Sequence, residues 1–130
     1  MSEHRIALLL IAHGSRRADA NADLEHVAAA LRERGRYPVV RASYLELAEP
    51  DIETGGALCA GDGATDVILL PYFLSPGKHV AEDLTAARDR LAARFPGVRF
   101  TLAEPLGRHP LVLDVLEERA AEADAASKRR

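Results

Sequence analysis

A chain of 130 residues with 20 acidic and 17 basic side chains has a formal charge of −3, which argues against a nucleic-acid binder working through overall electrostatics. The length suits one domain over residues 1–130, able to bury roughly two thirds of the surface its unfolded chain exposes. Cys59 is the only cysteine, which excludes an intrachain disulfide and favours a reducing compartment; no apolar run is long enough to span a bilayer, so the expectation is a cytoplasmic protein without membrane partners.

Ile6 to Ala12 reads IALLLIA, a continuous apolar run of the kind that fills a strand covered on both faces, and it stops at His13, Gly14 and Ser15. Arg16 and Arg17 follow. From Asn21 the apolar positions Leu24, Val27, Ala28 and Leu31 recur at helical spacing until Gly35 closes the pattern. Val39 to Leu45, VVRASYL, has the β-branched and aromatic content of a second strand, and the turn-like ELAEPD that follows leaves Glu46 at its end. A second helix is expected from Asp51 to Ala60, although Gly55 and Gly56 each cost it about 1 kcal/mol relative to alanine. GDGATD precedes a strand instead of following one and lacks a third glycine, so it is not read as a nucleotide loop.

Val67 to Leu70 is the third strand, stopped by Ser75, Pro76 and Gly77. Lys78 and His79 then stand between strand end and helix start, with Glu82 and Asp83 expected in the first helical turn and Leu84, Ala87, Leu91 and Phe95 facing inward. Val98 to Ala103 supplies a fourth strand, EPLGRHP its loop, and Leu111 to Ala123 a last amphipathic helix with Leu113, Val115, Leu116 and Arg119 along its middle. Residues 124–130, ending in SKRR, read as a frayed, solvated helix end. The alternation predicts an α/β three-layer sandwich: a four-stranded, mainly parallel sheet with right-handed crossovers and helices on both faces. In such a sheet every loop leaving a strand for its helix lies on one edge, which gathers His13, Glu46, His79 and His109.

Two imidazoles and a carboxylate offered from separate loops, His13, His79 and Glu46, suit a divalent transition metal with coordination positions left open. Asp83, four residues after His79, is placed to receive that imidazole's second N–H, and Glu82 is the competing choice. Arg16, Arg17, Lys78 and Arg108 put four cations on the same rim, a setting for a ligand bearing several carboxylates. Ser15 beside His13 also admits a nucleophile and base, but the G-x-S-x-G elbow is absent. A metal carrier or sensor using the same three ligands is the other alternative. His4 and His26 read as surface residues, and Tyr44, Tyr72 and Phe73 as core or pocket wall.

AHGSR at Ala12 to Arg16, YLELAEPDI at Tyr44 to Ile52, LPYFLSPGKHVAED at Leu70 to Asp83 and EPLGRHP at Glu104 to Pro110 together resemble the small CbiX/SirB-type sirohydrochlorin chelatases, over nearly the whole chain. The resemblance implies a chelatase-type fold, a homodimer, and a lyase that inserts Co²⁺, Fe²⁺ or Ni²⁺ into sirohydrochlorin in cobalamin or siroheme biosynthesis. No organic cofactor is implied; the metal is a substrate. It maps the metal site onto His13, Glu46 and His79, and assigns Ser15, Arg16, Arg17, Ser75, Lys78 and Arg108 to the tetrapyrrole, with Glu82 or Asp83 behind His79. The glycine-rich second helix departs from the family's pattern.

Overall fold

A computed structural model describes residues 3–129. Its centre is β1 (Ile6–Ala12), flanked by β2 (Val39–Tyr44) and β3 (Asp66–Pro71), with β4 (Arg99–Leu102) outside β3. All three pairings are parallel, and the strand order is β2-β1-β3-β4. The unbroken apolar run of β1 follows from this position. Ala7, Leu9 and Ile11 face α2 (Ile52–Gly61) and α3 (Lys78–Arg94), while Leu8 and Leu10 face α1 (Ala18–Arg34). Each fully buried Leu or Ile on this strand contributes about 1.5–3 kcal/mol of apolar transfer free energy. A polar residue on either face would forfeit that and add a desolvation cost.

The helix boundaries have local causes. Gly35 ends α1 in the left-handed region at φ 71°, a backbone conformation that residues with a β-carbon rarely adopt. Asp51 caps α2 by accepting from the Thr54 N–H at 2.8 Å, which also holds its carboxyl below the usual carboxylate range. Pro110 opens α4 (Pro110–Lys128) at the position where its missing N–H is not needed. α3 begins at Lys78, one turn earlier than the position of Glu82 and Asp83 suggests. Its first turn therefore holds no acidic residue, and His79 lies inside the helix instead of ahead of it.

The glycine-rich α2 forms as a helix, and packing explains its composition. A β-carbon on Gly55 would come within 2.9 Å of Leu9 Cδ1, and one on Gly56 within 2.6 Å of both Leu91 methyl carbons. Glycine lets α2 sit close to the sheet and to α3. Cys59, on the same helix, is fully buried, and burial pushes its thiol up to about 11, as expected of an inert core residue.

α1 covers one face of the sheet and α2 and α3 the other, the expected three layers. α4 behaves differently. None of its described residues is buried, and Leu111, Leu113, Val115 and Leu116 are 63, 63, 55 and 61 % exposed. On the α1 face, Ile68 and Leu70 of β3 are left half-buried. No helix among the described residues is long and apolar enough to cross a membrane.

Candidate metal centre

The chain leaves β1 for α1 on one face and β3 for α3 on the opposite face. The gap beyond the carboxyl ends of β1 and β3 is therefore a topological switch point, where loops diverge and leave a crevice. His13 lies at this point. The parallel ladder between β1 and β2 continues past the strand ends, with Leu45 N donating to Ala12 O at 3.0 Å and Glu46 N to His13 O at 3.1 Å. These two bonds carry the Glu46 side chain to the imidazole: His13 Nε2 and Glu46 Oε1 are 3.2 Å apart.

Gly14 makes the approach feasible. Its φ is 97°, and a β-carbon there would stand 1.8 Å from the Glu46 carbonyl oxygen. Phe73 sets its ring edge-on to the imidazole, with centroids 6.4 Å apart and planes at 89°. The pair remains open to solvent, with the His13 and Glu46 side chains 59 and 58 % exposed. An imidazole nitrogen and a carboxylate oxygen at this separation can hold a divalent transition metal with most of its coordination positions free for exchange.

Between α2 and α3, below the pair, is a cavity of about 420 Å³ with Asp51, Glu53, Asp83 and Arg90 among its lining residues. Arg90 is paired with Glu53 across it. Asp83 thus shares a pocket with His13 and Glu46. Glu82 lies on a separate shallow groove beside Lys78. His79 is exposed in the first turn of α3, and among the described residues no three His, Cys, Asp or Glu side chains stand close enough together to enclose a metal ion. The structure brings His13 and Glu46 together and leaves His79 outside that pair.

The rim residues fall into three groups, with Lys78 alone on the groove that Glu82 lines. Ser75, Arg108 and His109 line one groove with Glu104, formed where the β3 and β4 loops meet; Leu106 N donates to Phe73 O at 2.9 Å, and a β-carbon on Gly107 would stand 1.6 Å from Leu74 O. Arg16 and Arg17 are on the β1 loop, where Arg17 pairs with Asp19 at 2.9 Å and Arg16 is exposed. The Ser15 hydroxyl accepts from the Arg17 N–H at 3.1 Å, fixing the turn into α1. Of the three aromatic residues read as core or wall, Tyr44 is buried and Phe73 half-buried, whereas Tyr72 is 41 % exposed.

Two features were not anticipated from the sequence: the carboxylates on the α2 side of the cavity and the part played by Asn21. Asn21 binds both main-chain groups of Ser15, accepting from its N–H at 2.9 Å and donating to its C=O at 2.8 Å. A signal for it existed. Asparagine is a poor residue for the first turns of a helix unless its side chain has a hydrogen-bonding task.

An imidazole–carboxylate pair open to solvent at the switch point of a parallel sheet marks an α/β protein with a candidate metal site at its strand-end edge. The family model described as CbiX matches residues 7–123, and the chain belongs to the CbiX family. It is 38 % identical over 112 residues to the chloroplastic sirohydrochlorin ferrochelatase of Arabidopsis thaliana, spanning 86 % of this chain and 50 % of that protein. It is 30 % identical over 130 residues to the sirohydrochlorin cobaltochelatase of Methanococcoides burtonii, spanning 94 % of this chain and 98 % of that protein. A solved structure of the sirohydrochlorin chelatase SirB from Bacillus subtilis subspecies spizizenii in complex with cobalt superposes with a TM-score of 0.81 at 30 % identity, covering 91 % of this chain and 50 % of that one. The chain spans half or less of the length of the first curated relatives it matches.

Proposed function

We propose that this chain is a chelatase that inserts a divalent metal, Co²⁺ or Fe²⁺ with Ni²⁺ as the third candidate, into sirohydrochlorin on the route to cobalamin or siroheme. The observation that carries the reading is the 3.2 Å approach of His13 Nε2 to Glu46 Oε1 at the switch point of the sheet. The names of the relatives, both ferrochelatases and cobaltochelatases of sirohydrochlorin, support it. Insertion requires the metal to shed water and two pyrrole N–H groups to release protons as metal–nitrogen bonds form. His13 and Glu46 hold the incoming ion beside the ring, and their exposure leaves room for the macrocycle to approach. His79 serves as a further ligand or as the proton acceptor, with Asp83 or Glu82 behind it. Asp83 has the better support, since it shares the cavity of the pair.

Ser15, Arg16, Arg17, Ser75, Lys78 and Arg108 form the proposed carboxylate-binding rim, which accounts for cations at the site edge of a net acidic chain. Residues 1–130 are proposed to act as one chelatase unit without an organic cofactor, in the cytoplasm, and with no nucleic-acid or membrane partner. The unit is proposed to work as a homodimer. Support for this comes from the apolar residues exposed on α4 and the half-covered Ile68 and Leu70.

The test is anaerobic absorbance spectroscopy of sirohydrochlorin mixed with the protein and Co²⁺, Fe²⁺ or Ni²⁺ in turn, each against a protein-free control. Faster spectral change with protein supports the reading, and the fastest metal indicates the route served. Metal binding without acceleration for any of the three would replace it with a metal carrier or sensor.

A further inference from the structure

Asn21 touches the β1 loop beside His13 and the last residue of β2, from which the loop carrying Glu46 starts. Its carboxamide closes a two-bond ring with the main chain of Ser15, and its own carbonyl accepts from the Tyr44 hydroxyl at 3.0 Å. Tyr44 is 3 % exposed, and its N–H donates to Pro50 O at 2.9 Å, closing the base of the loop that carries Glu46. The β1 loop needs such a hold. Gly14 lies between His13 and Ser15 with φ at 97°, and glycine leaves the turn free to take other conformations unless the residues beside it are fixed. The two bonds to Ser15 remove that freedom two residues from the imidazole. They also satisfy a partly buried N–H and C=O that have no place in a strand or helix ladder.

We infer that Asn21 is a positioning residue for the His13–Glu46 pair: through Ser15 on one side and Tyr44 on the other, it ties the β1 loop and the end of β2 to a single point of α1 and so sets the separation of imidazole and carboxylate. It touches neither metal nor macrocycle. Its consequence for insertion rests on the chelatase reading, whereas its effect on His13 does not.

The experiment compares the parent with Asn21→Ala and Asn21→Asp by three readouts. In metal-free protein labelled with ¹⁵N-histidine, and with the His13 signals assigned through His13→Ala, the His13 ring resonances shift and broaden in Asn21→Ala while those of His4 and His109 stay in place. Co²⁺ affinity falls about 10- to 100-fold, the usual cost of losing the group that orients a ligand. In the insertion assay kcat falls by a similar factor, while KM for sirohydrochlorin changes by no more than about twofold. Asn21→Asp keeps the acceptor for Ser15 N–H but sets a carboxylate against the Ser15 carbonyl, so it gives the same changes and supplies them if the alanine variant fails to fold. His13 resonances and Co²⁺ affinity unchanged from the parent in a folded variant would overturn the inference. A parent that inserts no metal while the His13 resonances still move in the variants would remove the chelatase reading and leave the positioning role standing.

Discussion

His13 Nε2 stands 3.2 Å from Glu46 Oε1 because two main-chain hydrogen bonds extend the β1–β2 ladder beyond the strand ends, and because Gly14 has no β-carbon to push the Glu46 carbonyl away. Both side chains are more than half exposed and contribute little to the core. His13→Ala and Glu46→Gln are therefore expected to lower the insertion rate at least about 100-fold while changing stability by no more than about 0.5 kcal/mol. Stopped-flow insertion assays paired with thermal unfolding check both halves. An active His13→Ala variant would remove the imidazole from the proposed mechanism.

The glycines of α2 make a sharper test of packing. Gly56→Ala gains about 1 kcal/mol of helix propensity but forces a methyl into Leu91, which is 1 % exposed, and such overpacking costs about 1–3 kcal/mol. The clash is expected to win, giving a net loss of about 1 kcal/mol in urea unfolding. Gly61→Ala, at the end of the same helix with nothing within 4 Å, is expected to be neutral or slightly stabilising.

Stability at acid pH follows from groups at the opposite edge of the sheet. The Arg41 guanidinium donates to Asp62 at 2.7 Å and holds its carboxyl below the usual carboxylate range, while His4 and Thr65 do the same for Asp66. A lowered folded value means that the stabilisation is present above the unfolded value, about 3.9 for Asp, and is lost as pH falls through the lower folded one. Urea midpoints measured from pH 6 downward should therefore decline below about pH 4. Asp62→Asn should flatten that decline. An equally steep decline in the variant would show that Asp62 contributes nothing to it.

Charge on the rim is expected to act on substrate capture. Lys78→Glu and Arg108→Glu should each raise KM for sirohydrochlorin several-fold, to about tenfold, with kcat little changed. Raising the ionic strength should weaken the parent more than the variants, because screened rim charges have less to lose. A metal carrier would be indifferent to either change. Salt titrations of the steady-state rate distinguish the two.

The exposed side chains of α4 give the dimer proposal its test. Leu113→Asp combined with Leu116→Asp should shift the protein from dimer to monomer in analytical ultracentrifugation, since both positions are exposed apolar sites in the isolated chain. In a monomeric parent the double substitution would leave sedimentation unchanged, and the dimer would be ruled out.

The sequence by itself determined the order of elements and the edge on which the candidate site residues gather. β1 was legible to the residue, since a strand buried on both faces must be apolar at every position, and Ile6–Ala12 is. The motifs around His13, Glu46 and His79 marked the family before any contact was known. Tertiary structure decided what periodicity cannot express. It showed that Gly55 and Gly56 serve close packing against Leu9 and Leu91, a relation between elements far apart in the chain. It set Asp83 in the cavity of the pair and left His79 exposed, because α3 starts at Lys78 and thereby fixes which way each side chain of its first turns leaves the helix. It also left α4 with no described residue buried, although its amphipathic pattern reads like that of a packed helix. An apolar stripe records that a helix buries a face somewhere; only the placement of the sheet and its neighbours decides whether the partner surface lies within the same chain.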